Sequence, residues 1–511
     1  MNYSIRPTRQ ASAALHAASI ALLCAMLAGC NVGPKYLPPT MTAPSAFKES
    51  PAQFKEVDGW TVAQPQDEAL RGKWWEIYNE PELNALEEQL NIDNQNIRQA
   101  FENFMESRAL VREARSQYFP TVSVGGSYTR SQASSNVGSA SSTGTSSGQQ
   151  TQVFSLPANV SWEPDLWGKV RNTVRAGQYT AQLTAADLEN ERLTEQASLA
   201  EFFFQIRGQD TLQKLLDDIV EADRKALKIA NARYDTGVDD QISVVEAQTA
   251  LDSAQSEDIN LGIARAQYEH AIATLIGKSA STFSIPVEAR TSAPPPIPLG
   301  LPSQLLERRP DIAAAERNMA AANARIRVAY AAYYPALTLT ANGGLESSAL
   351  KNLLSASSRF WSVGPSISET VYDGGLRRAT VNQYIATYNA NVAAYRQSVL
   401  TAFQQVEDAL AAVRILSQQI LRQQDAVDSS QTFLRLELGR YETGIDPYID
   451  VVTAQNTLLL NQESLAILQV QQMTASVQLI EALGGGWDRS QLPTTVQVTQ
   501  KPSKSETKMQ H

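Results

Sequence analysis

Two periodicities alternate along this chain, and then the whole alternation happens a second time. From about residue 82 to 117 the apolar positions fall at the three-to-four spacing of a helix. FPTVSVGGSYTR (119–130) switches to strict alternation, a polar tract follows, and VFSLPANVSW (153–162) alternates again. WEPDLWGKVR then leads into a long helical stretch to Tyr234, the turn RYDTG, and a returning helix to about Ile276. Past a Pro-rich linker, SAPPPIPLGLPS (292–303), the second half repeats the series. It runs through DIAAAERNMAAANARIRVAYAAY, YPALTLTANGGLE, a polar loop, FWSVGPSISETVYDGGLRR, a helix to Tyr441, the turn RYETG and a helix to about Leu483. Phe119-Pro120 corresponds to Tyr334-Pro335, Gly168 to Gly374 and Gly237 to Gly444, so the chain is an internal duplication.

The long helices rest on an absence of breakers. No proline lies between Pro164 and Pro286, or between Pro365 and Pro447, and proline inside a helix costs about 3 kcal/mol. A continuous helix from Asn172 to Tyr234 would be roughly 95 Å long at 1.5 Å per residue. Leu212, Leu216, Ile219, Ala226 and Ile229 form one packing stripe along it. The flanking shorter helices sum to a similar length, so two of them stacked end to end would run beside each long one.

The alternating segments separate cleanly into two faces. Val122, Val124 and Tyr128 oppose Thr121, Ser123, Ser127 and Thr129. Phe154, Leu156, Ala158, Val160 and Trp162 oppose Ser155, Asn159 and Ser161. Leu337, Leu339 and Ala341 oppose Thr338, Thr340 and Asn342. Each run has the length of a tilted transmembrane β-strand, although a half-buried soluble hairpin would look the same. SQASSNVGSASSTGTSSGQQ (131–150) has too few apolar residues for a core and fits a solvated outer loop. Four strands cannot close a barrel, and an open edge cannot face lipid, so a membrane reading forces association. Two chains would supply eight strands and a filled lumen; three would supply twelve and leave a pore.

The first thirty residues change the compartment. Arg6 and Arg9 precede the apolar run LHAASIALLCAMLAGC, which is too short to span a bilayer and reads as a signal peptide. Its end, Leu27-Ala28-Gly29-Cys30, is similar to the lipobox of bacterial lipoproteins, which are cleaved before the cysteine and lipidated on it. Cys24 lies inside the removed segment, so the mature chain would keep Cys30 alone and form no internal disulfide. Asn31 follows where the lipoprotein analogy takes an aspartate as the inner-membrane retention signal, and this favours the outer membrane. Residues 31–80, with KYLPPTMTAPSAF and GKWWEIY, read as an extended wrapping segment.

Charge and chemistry narrow the function. The net charge is −10, and losing two arginines with residues 1–29 takes it to −12. With a pI near 5.1 this argues against a nucleic-acid partner. Catalysis finds little to use. His16 lies in the signal, His511 is terminal, and His270 stands alone on a helix. There is no GxSxG, P-loop or zinc spacing, and the scattered acids on the long helices read as solvated faces. An enzyme is discounted, and no cofactor or metal is expected apart from a covalent lipid on Cys30.

The repeated turn is the most specific local feature. RYDTGVDDQISVVEAQ (233–248) and RYETGIDPYIDVVTAQ (440–455) are identical at ten of sixteen positions. Gly444 suits the left-handed end of one helix, with Arg440 in its last turn. Asp446 suits the N-cap of the next, with Pro447 at its first position. Gly237 and Asp239 fill the same places in the first copy. A generic hairpin needs the glycines and caps, but it does not need Arg440, Tyr441 and Asp450.

The LAGC lipobox, GPKYLPP, WEPDLWGKVR, LLERRPDIAAAE, VYDGGLRR and the paired RYxTG turns occur in an order that resembles the TolC/OprM outer-membrane efflux proteins, in particular their lipoprotein (NodT-type) branch. The resemblance covers essentially all of the mature chain. It implies an α+β membrane protein with long antiparallel helical hairpins and four transmembrane strands per chain. Three chains would form a twelve-strand barrel in the outer membrane, continued by an α-helical tunnel in the periplasm. It implies a homotrimer that meets a periplasmic adaptor and an inner-membrane pump of the RND type and exports small molecules such as drugs. Carried onto this chain, the periplasmic gate is Arg440, Tyr441, Gly444, Asp446, Ile449 and Asp450, with Arg233, Tyr234, Gly237 and Asp239 opposite. Family members carry an acid either at the position of Asp450 or three residues later, where this chain has Thr453 and its first copy Glu246. The domain reading is a signal peptide (1–29), anchored extended segment (30–81), first repeat (82–277), linker (278–303), second repeat (304–484) and tail (485–511). The rival readings are a periplasmic coiled-coil lipoprotein, acting as adaptor or tether, and a channel for type I polypeptide secretion. Neither adaptor nor tether would need alternating strands at matching places in both halves.

Overall fold

A computed structural model describes residues 31–39, 43–44, 46–49, 72–132, 134, 150–290, 292–297 and 305–501. The signal peptide and Cys30 lie outside the described residues. The duplication appears as matched element lengths. The first half holds α1 (Pro81–Asp93), α2 (Gln95–Ser116), β1 (Thr121–Val124), β2 (Ser127–Gln132), β3 (Gln150–Trp162), α3 (Lys169–Asp235) and α4 (Gln241–Leu275). The second holds α5 (Leu305–Arg308), α6 (Pro310–Ala331), β4 (Ala336–Ser347), β5 (Arg359–Ser368), α7 (Leu376–Glu442) and α8 (Tyr448–Ala482). The long helices α3 and α7 have 67 residues each, and the returning helices α4 and α8 have 35 each. At 1.5 Å per residue α3 and α7 are about 100 Å long, as their lack of proline leads one to expect.

The expected single helix over 82–117 is broken at Asn94, and the break has a structural purpose. Asn94 caps α2 by accepting from the Ile97 amide, and its own amide donates to the Leu275 carbonyl (2.9 Å) at the end of α4. Arg309, at the corresponding break between α5 and α6, donates to the Ala482 carbonyl (2.9 Å) at the end of α8. Each break therefore satisfies carbonyls that a helix end leaves open. Two short helices then stack beside each long one.

The four-stranded sheet is antiparallel, ordered β1/β2–β3–β4–β5. β1 and β2 are one strand in constant register against β3, interrupted at Gly125-Gly126. The interruption lies opposite Pro157, whose carbonyl takes the Gly125 amide but which has no N–H to return. On the other side Pro157 pairs with Gly344, where any Cβ would lie 2.2 Å from the Leu156 carbonyl oxygen. The registers bring every apolar set onto one face: Val122, Val124 and Tyr128; Phe154 to Trp162; Leu337, Leu339 and Ala341; then Trp361, Val363 and Ile367. Trp361 (81% exposed), Val363 and Ile367 stand open on that face, which is continuous and fit for lipid. No described helix is long and apolar enough to cross a membrane.

Gly344→Val is expected to separate β3 from β4 and abolish the heat-modifiable, SDS-resistant assembled form. Gly364→Val, at a site with nothing within 4 Å of the new Cβ, should retain it. Electrophoresis of unheated membranes reads both.

Further sequence expectations need correction. In the stripe on α3, Leu212 and Leu216 are buried, but Ile229 is 53% exposed, and near the turn its neighbour Ala230 is the residue that packs inward. The acids on the helices are not all solvated: Asp210, Glu87, Glu195 and Glu316 are buried. Asp210 binds Arg207 (3.3 Å), Arg265 (2.6 Å) and the Glu288 amide (2.9 Å), tying the linker to α3 and α4. The N-terminal segment lies along the helices at its described residues before 50, but GKWWEIY, expected as extended, instead forms a 3-10 turn over Trp74–Tyr78 with Trp74, Trp75 and Tyr78 buried. Asn31 accepts from Asn172, Tyr36 donates to Glu316 (2.6 Å), and Glu49 binds Arg414 (2.6 Å). The counterpart of Gly168 at the start of the long helix is Gly375 rather than Gly374.

Candidate functional site: the paired hairpin tips

Both turns close by the same hydrogen bonds. Gly237 N–H donates to the Tyr234 carbonyl and Val238 N–H to the Arg233 carbonyl, each at 2.9 Å. Gly444 and Ile445 repeat this with Tyr441 and Arg440 at 3.0 and 2.9 Å. The glycines have φ of +71° and +75°, in the left-handed region that a side chain would strain.

The N-caps differ from the sequence expectation. Asp240, not Asp239, caps α4 by accepting from the Ser243 amide. Pro447 occupies the cap position of α8 and has no polar side-chain atom to bond with, while Asp446 is held by another partner. Arg440 grips Asp446 with two nitrogens, Nη2 at 2.9 Å and Nε closer still. That hydrogen-bonded pair raises the guanidinium pKa and lowers the carboxyl's.

Freed from capping, Asp239 reaches across to the second hairpin. It accepts from Ser243 Oγ (2.9 Å), the Asp240 amide (3.0 Å) and the Tyr441 hydroxyl (3.2 Å), and Arg233 Nε lies 3.5 Å away. Burial alone would raise its pKa, yet these hydrogen bonds and Arg233 bring it below the ordinary carboxylate value. Arg233 lies over the Tyr441 ring, 4.6 Å from its centroid, and donates to the Tyr441 carbonyl (3.4 Å). Burial and then Asp239 push the Tyr441 phenol up. Tyr441 packs on Tyr448 with ring centroids 5.3 Å apart, and both sit in a small core with Ala230, Ala247 and Val451.

The structure therefore joins Arg233, Asp239 and Tyr441 into one fastening between the hairpins, and Arg440 with Asp446 into a second contact within the tip. Tyr234 (46% exposed) and Ile449 (43% exposed) point outward. Asp450 is half-buried, its carboxylate within 4.8 Å of those of Glu437 and Asp446. Of these acids Asp446 is the one paired with Arg440, whose guanidinium also feels the charges of Glu437 and Asp450.

Glu437 was missed by sequence reasoning, although it lies three residues before Arg440 on the same helix face. Asp223 was missed too: it is 4% exposed near the Tyr448 hydroxyl, which burial and then Asp223 push up. Its place on the face of Ala226 and Ala230 was the only signal.

A sheet with one lipid-compatible face, continued by helical hairpins about 100 Å long whose tips fasten to each other, defines a tunnel-forming outer-membrane channel subunit. The chain belongs to the Outer membrane efflux protein family, which it matches over residues 86–278 and 301–485. The chain is the outer-membrane channel component of an efflux pump and is not an enzyme. It is 29% identical over 472 residues to the probable efflux pump outer membrane protein TtgC of Pseudomonas putida, covering 92% of this chain and 95% of that one. It is 30% identical over 469 residues to the solvent efflux pump outer membrane protein SrpC of Pseudomonas putida, covering 91% and 97%. Among solved structures it superposes on the outer-membrane channel OprN with a TM-score of 0.79 and 26% identity, covering 90% of this chain and all of that one.

Proposed function

We propose that this channel is a lipid-anchored homotrimer of the NodT-type branch, closed at rest by its hairpin tips and opened by a periplasmic adaptor. The observation that carries the gate is the Arg233–Asp239–Tyr441 fastening, which holds the second hairpin to the first at the end farthest from the sheet. Trimerisation is supported by closure together with the need for a lumen. The single chain leaves β1/β2 and β5 as open edges, and twelve strands make a barrel with a lumen. Lipidation of Cys30 is supported by Asn31, held at the first turn of α3 just below the sheet. A pump of the RND type supplies the substrate. The cargo is small molecules of the apolar, toxic kind that the name of the solvent-efflux relative describes.

Asp450, with Ile449 exposed beside it, supplies the charge at the mouth. Three copies near the axis would repel each other and attract cations. Asp450→Asn is expected to lower cation selectivity and weaken block by polyvalent cations in single-channel recordings. Unchanged selectivity and block would remove Asp450 from the gate.

A further inference from the structure

The junction between strands and helices carries aromatic markers of a membrane surface. Trp162 Nε1 donates to the Tyr118 carbonyl (3.0 Å), and Trp167 Nε1 donates to Pro335 (2.8 Å) while its ring stacks on Tyr334. Such rings collect at headgroup level. Asn31, the residue after the lipidation position, is fixed at the same level by Asn172 (2.9 Å). Within two turns of this level lies a group of arginines that the tunnel does not require. Arg171 and Arg175 stand four apart on one face of α3, and Tyr179 continues that face. Arg327 of α6 faces them, its Nε donating to the Val32 carbonyl (3.4 Å) and its stem packed on Gly33.

The carboxylate beside this group is already spent. Asp165 accepts from the Val170 amide (3.0 Å), the Arg171 amide (2.9 Å) and Arg171 Nε (3.0 Å). Arg175 is exposed. Arg327 is pushed below its ordinary value by burial and then by the charge of Arg175, which places the two guanidinium groups close enough to share one anion.

We propose that Arg175 and Arg327, with Arg171 beside them, bind the phosphate of an anionic phospholipid in the periplasmic leaflet of the outer membrane. The guanidinium fork suits phosphate oxygens. The place beside Val32-Gly33 lets a headgroup bridge the anchored N-terminal segment to α3 and α6. The bound lipid would then fix the height of the helical tunnel below the membrane. This inference rests on the outer-membrane reading and on the level set by the N-terminal anchor.

The test uses the full chain, purified as the assembled channel and titrated with phosphatidylglycerol while bound lipid is counted by native mass spectrometry. Phosphatidylcholine and inorganic phosphate serve as parallel probes. Retention of phosphatidylglycerol over phosphatidylcholine is expected, with about a fivefold loss of affinity for each arginine removed in Arg175→Gln and Arg327→Gln. Arg378→Gln, an exposed site outside this group, should change nothing. Equal retention of both lipids, or equal affinity in the arginine variants, would overturn the proposal. Inorganic phosphate that displaces the lipid and reproduces its binding would also overturn it, in favour of a free-anion site. Flotation with liposomes of either lipid separates this result from the underlying reading: a chain that fails to insert in both contradicts the membrane assignment itself.

Discussion

Tyr441→Ala is expected to give a channel that conducts at rest. The ring is 6% exposed, lies under Arg233, and its hydroxyl donates to Asp239, so alanine removes the packing, the cation–π contact and the hydrogen bond together. Deleting a buried aromatic side chain costs about 3 kcal/mol or more. If that loss falls on the closed arrangement alone, the closed-to-open balance shifts about a hundredfold. Planar-bilayer recordings of the reconstituted channel measure it as a rise in resting conductance. Tyr234→Ala, at the corresponding residue of the first tip, should stay near the starting conductance because that ring is exposed. The fastening should be insensitive to mild acid. The Asp239 carboxyl is held below its ordinary value, so its contribution is complete above about pH 4 and is lost only as pH falls through that lowered value.

Asp210→Ala is expected to produce the largest loss of stability. Asp210 is 1% exposed and is bound by Arg207, Arg265 and the Glu288 amide, so its removal leaves two guanidinium groups at a buried site without their shared carboxylate. Breaking a buried pair in this way destabilises by about 3–5 kcal/mol. It should also release the linker, since Arg207 and Arg265 hold the Pro286 and Ile285 carbonyls. Denaturation of the detergent-solubilised channel measures the loss. Asp218→Ala provides the control: Asp218 is 67% exposed and lies 3.8 Å from Lys214, and such a pair contributes within about 1 kcal/mol.

Much of this architecture was legible because its signals are periodic. A strand reveals its two faces through alternation, and the registers place all four apolar sets on the same side. The long helices were legible through the lack of proline, and the duplication through landmarks spelled twice. What escaped was set by long-range partners. LNIDNQNIRQ offers Asn94 as an N-cap, but the partner that goes with the break, the Leu275 carbonyl, lies at the far end of α4. Asp210 looks like any helix-surface acid until α4 brings Arg265 to it.

At the tips, the sequence picked out the residues and misassigned two roles. Asp446 and Asp239 both have the local look of N-caps. Arg440 claims the first, and the second hairpin claims the other. A capping pattern reports what a side chain can do locally. Which bond it makes depends on what the fold carries within reach.

The hydrogen bond that the two hairpins share, beside the Arg233–Tyr441 stacking, is tested most directly by a double-mutant cycle on resting conductance with Tyr441→Phe and Asp239→Ala. Each single change should raise conductance, and the pair should raise it no further than the larger single effect, because both remove the same contact. Effects that add in full, or single variants that conduct as the unchanged channel does, would contradict the account.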